Sequence, residues 1–426
     1  MGKVTIKNVE IFLTAPEKIN LAVVKVTTSE SGLYGLGCAT FTQRVLAVAS
    51  AVERYLKPFL IGKDISGNDV AGKDVFGKDV SRNDVSGKDV SRIEDIWQSA
   101  MVSAYWRNGP VLNSAVSGID MALWDIKGKM ANMPLYDLFG GKCREAALAY
   151  THAEGNSIEE TIDAAQGLKD QGFRNVRLQC GGYGGRNHAL RSPKNSLPGA
   201  YYDPKAYMKV TLSLFEKARR ELGDEIGLCH DIHERLFPID AIGFAKKMEQ
   251  FNLLFLEDAL PPEQPEWYEK IRAASAVPLA MGELFVNSAE WMPLIAGRLI
   301  DYLRVHISMI GGITPARKLA NLCDAFGIRT AWHGPGDLTP IGAAVNAHID
   351  LSIPNFGVQE WFNCMTDASL SVFPGAPEIH DGYIYVNDKP GIGVDFDENE
   401  AKKFPCSDAL PAWTLARLPD GTAVRP

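Results

Sequence analysis

The sequence lacks the features that mark secreted, membrane-spanning and nucleic-acid-binding proteins. Its seven cysteines stand singly, with no CxxC pair, so we interpret them as reduced and mostly buried thiols. No apolar run approaches roughly 18 residues, and the N-terminus lacks the charged, apolar and small-residue progression of a signal peptide. A net charge of -8 without a basic stripe argues against nucleic acid or an anionic membrane as partner. We therefore expect a soluble, cytoplasmic protein that acts on a small molecule.

The length and the hydrophobic pattern predict a small first domain followed by a large second one. The 426 residues exceed one compact module, and 46% hydrophobic residues are ample for a large core. Residues 3–14 and 20–29 have the pattern of an antiparallel strand pair, with a third strand through 32–38. Helical spacing follows at 43–57, 93–104 and 111–130. The tandem glycines 140 and 141 end this domain.

A five-residue repeat interrupts the first domain at residues 62–91. Its units are GKDIS, GNDVA, GKDVF, GKDVS, RNDVS and GKDVS. A period of five suits neither an amphipathic helix nor a two-sided strand. We interpret the repeat as an extended, solvated insertion from tandem duplication; a binding module is the alternative.

Beyond residue 140 the pattern alternates short strands with helices. Most strands precede 10 to 15 residues of helical pattern, and eight such units in series predict a (β/α)8 barrel. The predicted strands are Ala147–His152, Asn175–Gln179, Ile226–Asp231, Leu253–Glu257, Pro278–Glu283, Tyr302–His306, Ile328–His333 and Phe356–Glu360. A longer loop, 181–204, follows the second strand, and a loop of that length is typical of a lid or a binding loop.

Three carboxylates end three successive strands at equal spacing. Asp231, Glu257 and Glu283 follow one another at intervals of 26 residues, each behind a short apolar run. Adjacent strands lie about 4.8 Å apart, so three such carboxylates can bind one cation. Oxygen ligands alone favour a hard ion, Mg2+ first and Mn2+ or Ca2+ next. The alternative is that each acid merely ends a strand and caps the next helix.

The other predicted strand ends are also polar, as expected where chemistry collects in such barrels. They are able to bind a metal, carry a proton or hold an anion, whereas mere solvation of the barrel rim predicts Ser, Thr, Asn and Asp. These strand ends are His152, Arg177 and Gln179, His233, Arg304 and His306, His333, and Glu360.

The chain resembles the enolase superfamily, and within it the mannonate dehydratase-like branch of acid-sugar dehydratases, which includes homologues called starvation-sensing proteins. The resemblance covers almost the whole chain apart from the repeat and the loop after the second strand. The matching segments are IEDIW at 93–97, AYWR at 104–107, DMALWDIK at 120–127, MPLY at 133–136, HDIH at 230–233, DYLR at 301–304, GGIT at 311–314 and NFGVQE at 355–360.

This resemblance implies an α/β fold in which an N-terminal α+β capping domain sits over the barrel mouth. The implied domains are 1–140 for the cap with its 62–91 insertion, 141–395 for the barrel, and 396–426 for a C-terminal segment returning to the cap. It implies Asp231, Glu257 and Glu283 as metal ligands and a homo-oligomer, often an octamer. The residues implied around the substrate are Asn20, His152, Arg177, His233, Arg304, His333, Asp337 and Glu360.

The catalytic base is the point at which the sequence departs from the resemblance. Related branches place Lys-x-Lys at the end of the second strand, where this chain has Arg177-Leu178-Gln179, and a guanidinium is a poor base. Active mannonate dehydratases carry a tyrosine twelve residues past that arginine, which is Ala189 here. Tyr183 or His188 in the same loop is the candidate replacement. The chain also ends Ala-Val-Arg-Pro, where relatives often end in a tryptophan that reaches the site.

These residues lead to three hypotheses. The first is a Mg2+-dependent dehydratase that converts a mannonate- or gluconate-like aldonate into a 2-keto-3-deoxy acid through an enediolate. In it His233, which should point into the mouth two residues past Asp231, is the general acid or acid/base, while His333 orients or protonates the substrate. The second is a regulatory sugar-acid binder that keeps the metal site without catalysis. The third is an epimerase or cycloisomerase of a related acid.

Overall fold

An antiparallel three-stranded sheet and a long helix form the first part of the chain. The structure is a computed structural model that describes residues 4–61, 87–181, 193–362, 365–409 and 411–426. The sheet has the order β1-β2-β3, as predicted, with Ile11 opposite Val24. Its strands are β1 (Ile6–Thr14), β2 (Leu21–Thr28) and β3 (Tyr34–Cys38). The helices of this part are α1 (Val45–Ala51), α2 (Lys57–Leu60), α3 (Ile93–Val102), α4 (Pro110–Ala131) and α5 (Leu135–Leu138).

Helix α4 lies against the sheet at glycine contacts. A Cβ on Gly37 would meet the Gly118 carbonyl oxygen at 2.0 Å, so only glycine lets the strand approach the helix this closely. The buried face of α4 carries Val116, Ile119 and Leu123, which share one apolar core with the sheet. This core is separate from the one around the barrel, and we propose on that ground that the capping domain comprises residues 1–140.

The last unit of the repeat belongs to the capping fold. Residues 62–86, which hold the rest of the predicted extended insertion, lie outside the described residues. Val90 is 1% exposed, and its N–H donates to the Val4 carbonyl oxygen at 3.1 Å, just before the first strand. Residues 87–91 are therefore not a solvated excursion, because Val90 belongs to the apolar core of the cap.

Within the described residues, eight parallel strands close into a barrel, which confirms the predicted (β/α)8 architecture. Neighbours pair in the order β11-β10-β9-β8-β7-β5-β4-β12, and a parallel bridge from Thr330 to Phe356 joins the two ends. The short strand β6 stands outside this barrel. The strands are β4 (Ala147–Gly155), β5 (Asn175–Cys180), β6 (Ala200–Tyr201), β7 (Gly227–Asp231), β8 (Phe255–Glu257), β9 (Leu279–Met281), β10 (Tyr302–Leu303), β11 (Arg329–Thr330) and β12 (Gln359–Glu360).

Helices follow the barrel strands and cover the outside of the barrel. The apolar side chains between helices and strands form the largest core, while Tyr150, Phe255 and Tyr302 fill the barrel interior. No helix of the described residues has the length and apolarity needed to cross a membrane. The helices are α6 (Ile158–Asp170), α7 (Pro204–Leu222), α8 (Pro238–Met248), α9 (Tyr268–Ala274), α10 (Ser288–Ala296), α11 (Ile313–Ala325), α12 (Pro340–Ser352), α13 (Asp367–Val372) and α14 (Glu398–Ala401).

The last part of the chain leaves the barrel, crosses the cap and returns to the barrel mouth. A hairpin of β13 (Glu378–His380) and β14 (Tyr383–Tyr385) first extends the sheet beside β4. The Phe404 carbonyl oxygen then accepts from Ala15 N–H at the edge of the capping sheet. Finally β15 (Ala416–Arg417) pairs with β6, which lies in the loop that follows β5. The six cysteines among the described residues are free thiols.

Candidate active site at the barrel mouth

The three predicted metal ligands meet at the carboxyl ends of neighbouring strands. Asp231 ends β7 and lies opposite Glu257, which ends β8 in parallel register. Glu283 comes two residues after β9, behind Gly282, whose φ of +140° is one that L side chains rarely adopt. One oxygen from each of the three carboxylates lies within 4.8 Å of the others. The equal sequence spacing thus becomes one cluster of oxygen ligands.

Glu257 shows that this cluster fits a cation. The side chain is fully buried, and neither of its oxygens has a hydrogen-bond partner among the described residues, although Arg304 Nη1 lies 2.8 Å from Oε1. Burial raises the pKa of Glu257 well above its ordinary value, and the nearby charge of Asp231 adds to the effect that Arg304 opposes. A buried carboxylate without hydrogen bonds is costly, and a divalent cation bound by carboxylate oxygens removes that cost. The donor set, all oxygen and highly charged, suits a hard ion.

Arg177 holds one side of the cluster in place. Its guanidinium is 2% exposed and donates to Asp231 Oδ2 at 3.0 Å and to His152 Nδ1 at 3.2 Å. Because His152 Nδ1 accepts this bond, its Nε2 carries the proton and donates to Glu360 Oε1 at 2.7 Å. Burial and the charge of Arg177 lower the pKa of His152, which keeps the ring neutral. His152 therefore connects the first and last strands of the barrel.

Arg304 holds the opposite side. It is completely buried and lies 2.8 Å from Glu257 Oε1 and 2.7 Å from Glu360 Oε2, while donating to the Tyr150 hydroxyl at 2.6 Å. Burial works to raise the pKa of Glu360, but the charges of Arg304 and His333 and the hydrogen bond from His152 bring it well below its ordinary value. Ion pairs and hydrogen bonds thus run without a break from Asp231 around the barrel to Glu257.

His233 faces the metal ligands from a turn and not from a strand. Asp231 Oδ1 accepts from the His233 main-chain N–H at 2.7 Å, and His233 and Glu234 both have positive φ, of 55° and 59°. Such a left-handed turn, closed by an aspartate side chain, is a conformation that functional sites often stabilise. His233 Nε2 lies 3.4 Å from Glu283 Oε1. We expected strand alternation to point His233 into the mouth. His233 does lie beside the predicted metal ligands, but a left-handed turn after the end of β7 places it there.

The C-terminal segment reaches His233 from outside the barrel. His233 Nδ1 donates to the Pro426 main-chain oxygen at 2.9 Å, which leaves Nε2 as the nitrogen that faces the site. The Trp413 ring packs edge-on against the imidazole at 5.9 Å between centroids. Arg425 lies 3.7 Å from Glu234. A tryptophan and the last residues of this chain thus occupy the place beside His233.

His333 completes the ring of polar side chains around Glu283. Its Nε2 donates to Glu283 Oε2 at 3.0 Å. Burial works to lower the pKa of His333, but the charges of Glu283 and Glu360 raise it overall. Asp337, four residues further on, has its Oδ1 3.6 Å from His306 Nε2. Each oxygen of Glu283 therefore faces a histidine, Oε1 facing His233 and Oε2 facing His333.

The described contacts do not connect two of the predicted residues, Asn20 and Tyr183, to this arrangement. The Asn20 side chain holds the C-terminal segment, donating to the Ser407 carbonyl oxygen at 2.6 Å and accepting from Ser407 N–H at 2.9 Å. Tyr183, the tentative base, lies outside the described residues, as does its alternative His188. The loop that follows β5 is described again from residue 193 onward.

The sequence did not single out three contributors to the site. His306 appeared among the polar strand ends without a role, and its place two residues after Arg304 was the available signal. Tyr150 lay inside a predicted strand with no feature to distinguish it. Trp413 gave no signal, because only the path of the C-terminal segment brings it to His233.

Family models match both parts of the chain. The model for the enolase C-terminal domain-like family matches residues 160–400, and that for the mandelate racemase / muconate lactonizing enzyme N-terminal domain matches residues 79–140. The first match lies in the barrel, and the second lies in the cap.

Curated relatives and a solved structure are similar to this chain over its whole length. A D-galactonate dehydratase family member of Enterococcus gallinarum is 55% identical over 426 residues, and one of Salmonella virchow is 51% identical over 443, each covering 100% of both chains. The crystal structure of an enolase from Pantoea ananatis, with bound D-gluconate and Mg, is 51% identical, with a TM-score of 0.91 over 99% of this chain and 100% of that one. The chain therefore belongs to the D-galactonate dehydratase family of the enolase superfamily.

Proposed function

We propose that this protein is a Mg2+-dependent hydro-lyase that dehydrates a six-carbon aldonate to its 2-keto-3-deoxy acid. The observation that carries the proposal is the convergence of Asp231, Glu257 and Glu283 with the two histidines that face Glu283. Such a site combines a cation for the substrate carboxylate with groups that move protons next to it. The names of the similar proteins, which are dehydratase family members, support the same reaction class.

The substrate class follows from the site and from one similar structure. The walls of the mouth are polar and charged, which suits a chain of hydroxyls ending in a carboxylate. The similar Pantoea protein holds D-gluconate and Mg. We therefore propose gluconate and its epimer mannonate as the first substrates to test, and Mg2+ as the cofactor. His152, Arg304, Asp337 and Glu360 are the proposed contacts for the acid, together with Asn20.

The reaction removes a proton from C2 and a hydroxyl from C3. Bound Mg2+ supplies positive charge that stabilises the negative charge which develops on the substrate carboxylate when the C2–H bond breaks. The electron pair from C2 forms a C2–C3 double bond as the C3–O bond breaks, and the hydroxyl leaves as water after it takes a proton. The resulting enol then takes a proton at C3 and releases the proton of its C2 hydroxyl to give the 2-keto acid. We assign the proton given to the leaving hydroxyl to His233 Nε2.

In this scheme Arg177 holds Asp231 and His152 in place and does not act as the base by itself. Its guanidinium stays protonated and is already engaged with Asp231 and His152. We propose that the base for C2 comes from the loop after β5, where Tyr183 and His188 are the candidates. We propose His333 as the group that orients the substrate beside Glu283.

An assay of keto-acid formation tests this proposal. Purified protein with Mg2+ is incubated with a panel of aldonic and aldaric acids, and 2-keto products are measured as semicarbazones. We expect a product with gluconate or mannonate, its loss with EDTA and its recovery with Mg2+. His233→Asn should abolish turnover, while His380→Asn, which changes an exposed histidine on the far hairpin, should match the wild type.

Deuterium exchange separates the remaining possibilities. Turnover that survives EDTA or His233→Asn would refute the proposal. Exchange at C2 in D2O without dehydration would indicate an epimerase, and Mg2+-dependent binding with neither exchange nor product would indicate a regulatory binder.

Because the family resemblance implies a homo-oligomer, often an octamer, sedimentation of the same preparation tests that prediction too.

A further inference from the structure

His306 is a buried histidine whose hydrogen bonds define its tautomer. The side chain is 1% exposed, and its Nδ1 accepts from the Ser308 main-chain N–H at 3.2 Å. A nitrogen that accepts an N–H bond carries no proton, so the neutral ring has its proton on Nε2. His306 is therefore a fixed donor with a single direction.

That donor points at Asp337. His306 Nε2 lies 3.6 Å from Asp337 Oδ1, and neither atom has a hydrogen-bond partner among the described residues. The distance exceeds that of a formed hydrogen bond, and such contacts in a free active site often shorten once the substrate is bound. A main-chain bridge pairs His306 with His333, and their rings lie 5.3 Å apart, which limits how far either ring moves.

The charge on Asp337 is consistent with this geometry. Burial works to raise the pKa of Asp337, but the His306 and His333 rings beside it lower it overall. The carboxylate is thus held in its ionised form, which accepts hydrogen bonds and donates none. With Oδ1 directed at His306, Oδ2 is the oxygen left to accept from a ligand.

The same three side chains could be mistaken for a metal site. One atom from each of His306, His333 and Asp337 lies within 4.8 Å of the other two. Two imidazoles and one carboxylate are a ligand set that many transition-metal sites use. An imidazole that binds a metal donates from its other nitrogen. His306 Nδ1 instead accepts from Ser308, so a metal at Nε2 would require an imidazolate. The hydrogen-bond pattern excludes His306 as an ordinary metal ligand.

We propose that His306 is a positioning residue: its Nε2–H orients the Asp337 carboxylate so that Oδ2 accepts a hydrogen bond from a substrate hydroxyl. This inference rests on the proposed function for the identity of the ligand. It acts on substrate recognition and not on proton transfer, because His306 contacts Asp337 and no described contact joins it to Asp231, Glu257 or Glu283. It should therefore affect KM for the aldonate much more than kcat.

Two substitutions separate this role from a structural one. Gln places an amide N–H near the position of Nε2 but offers nothing to Ser308, whereas Asn places an acceptor near Nδ1 but has no donor that reaches Asp337. Positioning of Asp337 predicts that His306→Gln binds the acid like the wild type and that His306→Asn raises KM about tenfold, the size expected when one hydrogen bond to a charged group is weakened. Support of the Ser308 loop predicts the reverse order.

The first experiment needs no substrate. Neutron diffraction from a deuterium-exchanged crystal locates the ring deuteron of His306, which we expect on Nε2. A deuteron on Nδ1 alone overturns the inference whatever the protein catalyses. This result is independent of the proposed function, so failure of one is distinguishable from failure of the other.

The second experiment measures KM and kcat for the aldonate with Mg2+ in His306→Gln, His306→Asn and Asp337→Ala. We expect the order of KM to be wild type, Gln, Asn, with kcat changed less than KM, and no further effect of Asn when Asp337 is already Ala. Equal KM values for Asn and wild type, or a larger rise for Gln than for Asn, overturn the inference. Binding of the acid by calorimetry is measured alongside: a wild type that binds no aldonate refutes the proposed function and the substrate role of His306 together.

Discussion

Removal of the buried Arg304 guanidinium should destabilise the protein strongly, and Mg2+ should offset part of the loss. Arg304 is completely buried between Glu257 at 2.8 Å and Glu360 at 2.7 Å. At an effective dielectric constant of about 20, each contact is worth about 6 kcal/mol of Coulomb energy, most of which the burial of the three charges cancels. Breaking such a pair by removing one partner costs about 3 to 5 kcal/mol, because the remaining charge stays buried.

The variant is Arg304→Met, which keeps most of the side-chain volume without the charge. Because two carboxylates lose their partner, we expect the free energy of unfolding to fall by about 5 kcal/mol in EDTA, the upper end of that range. The fall should be smaller with Mg2+, since a cation bound by Glu257 replaces one of the two lost interactions. Urea unfolding with and without Mg2+, followed by tryptophan fluorescence, gives the shift in midpoint.

Two controls make the prediction refutable. Arg220→Met removes an arginine that is 65% exposed and 3.4 Å from Glu221, and such surface pairs are worth about 0 to 1 kcal/mol. Arg304→Met combined with Glu360→Gln should be more stable than Arg304→Met alone, because it removes a buried carboxylate left without its cation. Equal shifts for Arg304→Met and Arg220→Met, or no difference with Mg2+, would show that the buried charges are not balanced as described.

Three further predictions concern other parts of the molecule. Buried Asp120, which accepts from Thr314 N–H and hydroxyl across the joint between cap and barrel, has its pKa raised by burial from 3.8 to about 7, against the lowering effect of those hydrogen bonds. Wild-type stability should therefore fall relative to Asp120→Asn between pH 5 and pH 7, by at most about 3 kcal/mol in urea unfolding. Arg425→Ala should speed proteolysis of the C-terminal segment by releasing it from Glu234. Mg2+ at a hundred times its Kd should stabilise the protein by about 2.7 kcal/mol in thermal unfolding, and Asp231→Asn should abolish this shift.

The sign of the Asp120 prediction follows from proton uptake. A carboxyl with a raised pKa in the folded protein still holds its proton where the unfolded chain has lost it, so stability declines as the pH rises from 3.8 and is constant above about 7. A parallel pH dependence in Asp120→Asn would contradict it. The Arg425 prediction fails if limited proteolysis gives the same rates, and the Mg2+ prediction fails if the ion shifts Asp231→Asn equally.

The sequence determined the barrel and the place of the three carboxylates that we propose as metal ligands. Apolar strands alternating with helices are local patterns, and parallel strands present their carboxyl ends at one rim, so the 26-residue interval sufficed to bring Asp231, Glu257 and Glu283 together. All eight predicted strands overlap those of the structure. The resemblance supplied Asp337 and Asn20, which no pattern in the residues indicated.

Tertiary structure alone decided how the site is held. The contact between His152 and Glu360 spans 208 residues and exists because the barrel closes, and the approach of Pro426 to His233 spans 193 residues. The tautomer of His306 depends on one main-chain N–H in its own turn. Hydrophobic periodicity predicts which face of a helix or strand is buried, but it does not predict which distant polar group a side chain on that element contacts. The sequence therefore determined which strand-end residues reach the barrel mouth, and the closed fold decided which atoms they present to one another.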